Sequence, residues 1–106
     1  MIQQTEFEWI QRWYAAQCNG EWEHRYGVKL ETLDNPGWML EIDLVGTSLE
    51  RVGFERQAID TSAQDWYNCA VEGGVFRAAA GTESLERVLA VFRNWATTDH
   101  GSILEG

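Results

Sequence analysis

Apolar residues recur along this chain with two different periods, and the changes between them divide it into elements. From Phe7 onward, Phe7, Trp9, Ile10, Trp13, Tyr14 and Ala16 gather on one arc at about 100° per residue, with Glu8, Gln11, Arg12 and Ala15 opposite. Thr5 followed three residues later by Glu8 matches a capping box, so the pattern predicts an amphipathic helix that stops near Cys18-Asn19-Gly20. From His24 to Leu33 the period falls to two, with Tyr26, Val28 and Leu30 on one side and Arg25, Lys29 and Glu31 on the other. Trp38 to Leu44 repeats it, with Trp38, Leu40, Ile42 and Leu44 inward and Met39, Glu41 and Asp43 outward. Asp34-Asn35-Pro36-Gly37 between them is turn chemistry, and the two runs read as a β-hairpin.

Its register is narrowed by geometry. Both apolar faces must point the same way, so paired residue numbers sum to an even value. One register sets Leu30 against Ile42, Lys29 against Asp43 and Glu31 against Glu41, a like-charge pair; a slip of two sets Lys29 against Glu41 and removes the clash. Both remain open from the sequence.

Arg51 to Ile59 predicts a third strand, with Val52, Phe54 and Ala58 alternating against Arg51, Glu55 and Gln57, and with Gly53 marking a weak point or a bulge. Asp65 to Glu72 and Val75 to Ala79 flank Gly73-Gly74, a two-residue connection suited to a tight hairpin. A second helix is expected from Gly81-Thr82-Glu83, with Thr82 as its N-cap and Leu85, Val88, Leu89, Val91, Phe92, Trp95 and Ala96 on its apolar arc. After Thr97 the pattern is lost and a loosely ordered tail is expected. The fold class is therefore α+β: about five antiparallel strands, with an N-terminal and a C-terminal helix packed on one face of the sheet. No repeat or linker interrupts the pattern, and residues 1–106 read as a single domain.

Composition fits a packed domain and excludes disorder: 106 residues are 44% hydrophobic and 12% aromatic, with six Trp. Charge narrows the choice of partner. Seventeen acidic against eight basic residues give a formal charge of −9, which repels phosphate backbones and anionic lipid, so neither nucleic acid nor membrane is expected as a partner. Cys18 and Cys69 are too few for a disulfide framework and are expected as reduced thiols of a cytoplasmic protein, although one bridge between them stays open.

Candidate chemistry is sparse. Cys18, Cys69, His24 and His100 show no zinc-ligand spacing, and no glycine loop precedes a Lys as a phosphate cradle needs. No catalytic residue, metal or cofactor is assigned. Glu41 and Asp43 lie two apart on a strand and merely share its solvent face. That face, carrying Glu31, Glu41 and Asp43 beside Arg25 and Lys29 and extended by Glu55, is the candidate contact surface. Trp66, pointing away from its neighbours Tyr67 and Val71, is a candidate anchor on it.

The helix Phe7-Glu8-Trp9-Ile10-Gln11-Arg12-Trp13-Tyr14 runs into Cys18-Asn19-Gly20-Glu21-Trp22-Glu23-His24. Together with the stretch from Tyr26 through Glu31-Thr32-Leu33-Asp34-Asn35-Pro36-Gly37-Trp38, with Asp65-Trp66-Tyr67-Asn68-Cys69 and with Phe92-Arg93-Asn94-Trp95, it resembles the immunity protein 53 family over about residues 5–96. The resemblance implies an antidote of a bacterial polymorphic toxin system, a non-enzyme that binds and neutralises a cognate toxin domain in the cytoplasm. It gives the acidic face a purpose: a basic toxin would be met by Glu31, Glu41 and Asp43, with Asp34 at the hairpin end. Two rival classes are a small ligand-binding or sensor domain and a cysteine-dependent enzyme.

Overall fold

The computed structural model describes residues 4–98. Its elements are α1 (Glu6–Gln17), α2 (Trp22–Arg25), β1 (Val28–Leu33), β2 (Gly37–Asp43), β3 (Gln57–Asp60), β4 (Trp66–Glu72), β5 (Val75–Ala80) and α3 (Leu85–Thr97). The strands form one five-stranded antiparallel sheet in the order β1-β2-β5-β4-β3, so the two hairpins join through the β2–β5 pair.

Local chemistry accounts for most of these elements. Thr5 and Glu8 close the reciprocal capping box, each side chain bonded to the other's amide, at 3.0 and 2.9 Å. Gly73 and Gly74, with φ of 58° and 79°, supply the left-handed pair that a tight two-residue hairpin needs. The β1–β2 register is the one that sets Lys29 opposite Glu41 and Leu30 opposite Leu40, and Glu31 faces Met39 rather than another carboxylate.

Alternation then sorts the strands into two faces. On one, Leu40, Ile42, Phe76, Ala78, Ala80, Cys69 and Tyr67 are buried. α3 covers that face through Val88, Leu89, Phe92 and Trp95, none more than 9% exposed. Phe92 is the hub: its ring meets Phe76 at 5.1 Å, Trp13 at 5.2 Å, Trp9 at 5.9 Å and Trp95 at 6.0 Å, each edge to face or nearly so. α1 thus joins the core by leaning on α3, and none of its residues is fully buried. The apolar arc expected for it is half wet, with Phe7 and Tyr14 at 40% and 38% exposure.

Three expected boundaries are corrected. The strand expected from His24 begins at Val28, because Trp22–Arg25 makes one turn of helix in which the buried Trp22 donates its indole N–H to the carbonyl of Val45 at 2.8 Å. The strand expected over Arg51 to Ile59 shrinks to Gln57–Asp60. Before it, the connection from β2 drops Leu49 and Phe54 into the helix-side core, Phe54 packing on Phe76 and Trp95 while the carbonyl of Gly53 accepts the Trp95 indole N–H at 2.9 Å. The C-terminal helix is preceded by Ser84, not capped by Thr82, and the buried Ser84 hydroxyl is held by Gln64 and Asp65 instead of capping the helix. Both cysteines are free thiols. The expected tail lies outside the described residues beyond Thr98.

Candidate functional site

Among the described residues no helix lies over the opposite face of the sheet. Cross-strand registry lays Glu31, Met39, Ala79, Asn68 and Ala58 in one row, and Lys29, Glu41, Arg77 and Ala70 in the next. The alanines keep the middle low. Shallow depressions of about 260 Å³, between Met39, Asn68, Glu72 and Arg77, and of about 330 Å³, between Ala58, Asp60, Trp66 and Asn68, open on it.

Trp66 stands at the upper margin, half-buried. Its seat is opened by Gly81, where a Cβ would fall 2.8 Å from the indole Cδ1; Gly37 also lies beside the ring, but what a Cβ there would strike is the carbonyl oxygen of Ala80. Glycine is required at Gly81 by the ring and the Gln64 backbone, and at Gly37 by the Ala80 backbone. The Gly37 of the turn sequence thus serves the neighbouring strand as much as the turn.

The carboxylates of this face have unequal freedom. Glu41 takes a 2.6 Å ion pair from Arg77 on β5 and lies opposite Lys29 on β1, so its charge is balanced from both sides. Asp43 accepts the backbone N–H of Gly27 at 2.9 Å and ties down the entry to β1. Glu72 pairs with Arg56 at 3.4 Å across the lower corner. Glu31 is exposed on the outer row and Asp34 is exposed in the hairpin turn. Glu55 is exposed in the coil before β3, not on a strand. The structure therefore brings Glu31, Glu41, Asp43 and Trp66 to one face, sets Asp34 at its end, leaves Glu55 off the sheet, and adds Arg77, Met39 and Asn68. Those three were not joined into one site because the β2–β5 pairing that sets one hairpin beside the other is long-range; Met39 was seen to point outward, but the low alanine row beside it was not.

A larger depression, about 510 Å³, lies apart from the sheet face and is lined by Asn19, Gly20, Glu21, Trp22, His24, Arg25, Tyr26 and Gly46. Its builders hold one another in place. The Glu23 carboxylate accepts the amides of Asn19 and Gly20 at 2.9 and 2.8 Å, and the Asn19 side-chain oxygen accepts those of Glu21 and Trp22, both at 2.9 Å. Hydrogen bonds from backbone amides, its own foremost, hold the Glu23 carboxyl below the usual carboxylate range, against an opposing effect of desolvation. Trp22 packs there against Trp13, Tyr14 and Tyr26. The stretch Cys18 to His24, which carried much of the family resemblance, thus joins α1 to the sheet.

Chemistry at the cysteines is limited by burial. Cys69 is wholly buried under α3, and desolvation pushes its thiol up to about 12, which leaves no thiolate near neutral pH. Cys18, half-buried, donates its S–H to the carbonyl of Tyr14 at 3.4 Å. Among the described residues no group of three or more His, Cys, Asp and Glu side chains gathers as a metal site.

The structure is thus an α+β fold with a five-stranded antiparallel sheet covered by α3 on one side and, among the described residues, open on the other. The chain matches the family model of Immunity protein 53 over residues 7–97, and it belongs to that family. No curated protein and no solved structure matches it.

Proposed function

We propose that this protein protects a bacterial cell by binding a cognate toxin domain in the cytoplasm and blocking it, without catalysis, and that the uncovered face of the sheet is the contact surface. The observation that carries the reading is family membership over residues 7–97. The choice of surface rests on the open face. A sheet face meant only for solvent would be polar throughout, whereas this one carries Met39, Ala58, Ala70, Ala79 and Trp66 among its charges. Tryptophan and methionine are enriched at protein interfaces, and a half-buried tryptophan fixed by its seat loses little freedom on binding.

Size supports a contact that reaches beyond the strands. Four interstrand spacings of about 4.8 Å and six residues at about 3.4 Å give a footprint of roughly 20 by 20 Å. A standard interface buries about 800 Å² on each partner, so the turn at Asp34 and the corner at Arg56 and Glu72 join the contact.

Charge supports a basic toxin. The formal charge of −9 attracts one at long range, while the locally balanced row of Lys29, Glu41 and Arg77 orients it at short range. The carboxylates Glu31 and Asp34, which have no ion pair among the described residues, are the ones free to meet its cations.

Coexpression with a candidate toxin domain, sought first in the neighbouring gene, tests the reading. Restored growth and a stoichiometric complex are expected, and Ala79→Arg, which raises a long cation from the low row, is expected to abolish both while leaving a folded protein. A folded wild-type protein that neither binds nor protects contradicts the function; full protection by a folded Ala79→Arg variant contradicts the surface.

A further inference from the structure

β1 is an edge strand of the sheet, and α3 packs chiefly over β5 and β4. Leu30, on the helix side of β1, is 41% exposed, the most exposed of the large apolar residues among those described. The outward main-chain groups of β1 can be assigned. Gly27 accepts the amide of Asp43 at 3.0 Å, and Leu44 donates to Gly74 on the other side of β2 at 2.8 Å. Hydrogen-bonded pairs alternate along an antiparallel ladder, so Lys29, Glu31 and Leu33 bond toward β2, while the N–H and C=O groups of Val28, Leu30 and Thr32 face away from the sheet.

We propose that this edge pairs with the same edge of a second copy, Leu30 against Leu30, to give a two-fold dimer with a continuous ten-stranded sheet. Charge selects the partner and the register. Keeping the faces aligned requires paired residue numbers with an even sum. With Leu30 opposite Leu30, Lys29 meets the second copy's Glu31 twice, once on each side of the axis, and Val28 meets Thr32. A shift of two in one direction sets Lys29 against Lys29, and in the other Glu31 against Glu31, both repulsive. The accepted register joins outward-facing groups throughout, about six main-chain hydrogen bonds, and covers both exposed leucines.

Charged residues on an edge strand ordinarily discourage pairing. A lysine and a glutamate flanking one leucine do so against most strands, but not against their own reversed copy. The other edge lacks this property: β3 has four residues, and pairing it with itself brings no opposite charges together within Gln57–Asp60. The dimer leaves Met39, Ala79 and Asn68 open but engages Glu31, so its test is made on the protein alone, without the toxin.

Sedimentation of the full chain over a wide concentration range tests the proposal. The expected species has twice the 12.1 kDa chain mass. Glu31→Lys, whose ladder neighbour within the chain is the uncharged Met39, is expected to weaken the dimer about tenfold or more by setting lysines across both pairs. Adding Lys29→Glu to it reverses every pair and is expected to restore the dimer. Amide exchange of the wild type is a check free of mutation: the Leu30 amide should gain protection as concentration rises. A monomer at every concentration, a Glu31→Lys dimer as tight as wild type, a folded double variant that stays monomeric, or a Leu30 amide that stays open would each overturn it.

Discussion

On the helix side of the sheet Phe76, Ile42 and Cys69 have no exposed surface, while their strand neighbours Arg77, Glu41 and Asn68, one residue along, meet solvent. The two faces share one backbone, and their constraints are opposite. The covered face is determined by shape, since four rings converge on Phe92 and a lost atom leaves a void. The open face is determined by balance: Glu41 is neutralised by Arg77 and flanked by Lys29, and the alanines around it are small enough to leave room for another molecule. Substitutions on the two faces should therefore fail in different assays.

The largest effect is expected from Phe92→Ala, which removes the ring that links α1, α3 and the sheet. A loss of about 3–5 kcal/mol in stability is predicted, read from the urea midpoint at constant slope. Next is Trp66→Ala, predicted to cost about 2 kcal/mol or more in toxin binding by calorimetry, with a stability loss near 1 kcal/mol from its seat over Gly81. Equal losses of stability and binding at Phe92, or a Trp66 variant that loses stability alone, would erase the contrast between the faces.

Smaller effects sharpen it. Arg77→Ala removes an exposed ion pair and is expected to change stability by at most about 1 kcal/mol, while shifting the salt dependence of toxin association. The smallest concerns Glu23, whose folded carboxyl lies below its unfolded value. Its contribution is present above the unfolded value and is lost as pH falls through the folded one, so Glu23→Gln should flatten the acid limb of the stability curve and leave toxin binding at neutral pH unchanged. A pH-stability profile parallel to wild type would show that the carboxylate does not hold the loop as described.

How much of this could be read beforehand depends on whether the controlling interaction is local. The α1 cap, the Gly73-Gly74 turn and both hairpins are determined within a few residues, and all stand in the structure. The hairpin register was narrowed to two, and it took the one without opposed glutamates. Trp22–Arg25 was missed because one helical turn is too short to show a period, and its tryptophan is fixed by Val45, far along the chain. Residues 51–56 alternate like a strand, yet Phe54 is drawn into the core by Phe76 and Trp95, partners that sequence spacing does not reveal. The solvent face of the hairpin was legible as a surface, but its charge was not: Arg77 reaches Glu41 only because β5 pairs with β2. What read as an acidic patch is a mixed one.

The choice of the open face as the toxin contact is tested most directly by side-chain NMR of the labelled protein titrated with its toxin domain. The methyl groups of Met39, Ala58, Ala70 and Ala79 and the indole N–H of Trp66 are predicted to shift or broaden together, with Phe92 and the Trp22 indole unmoved. Perturbation centred on Asn19 to Tyr26, with the Met39 and Ala79 methyls unchanged, would contradict it.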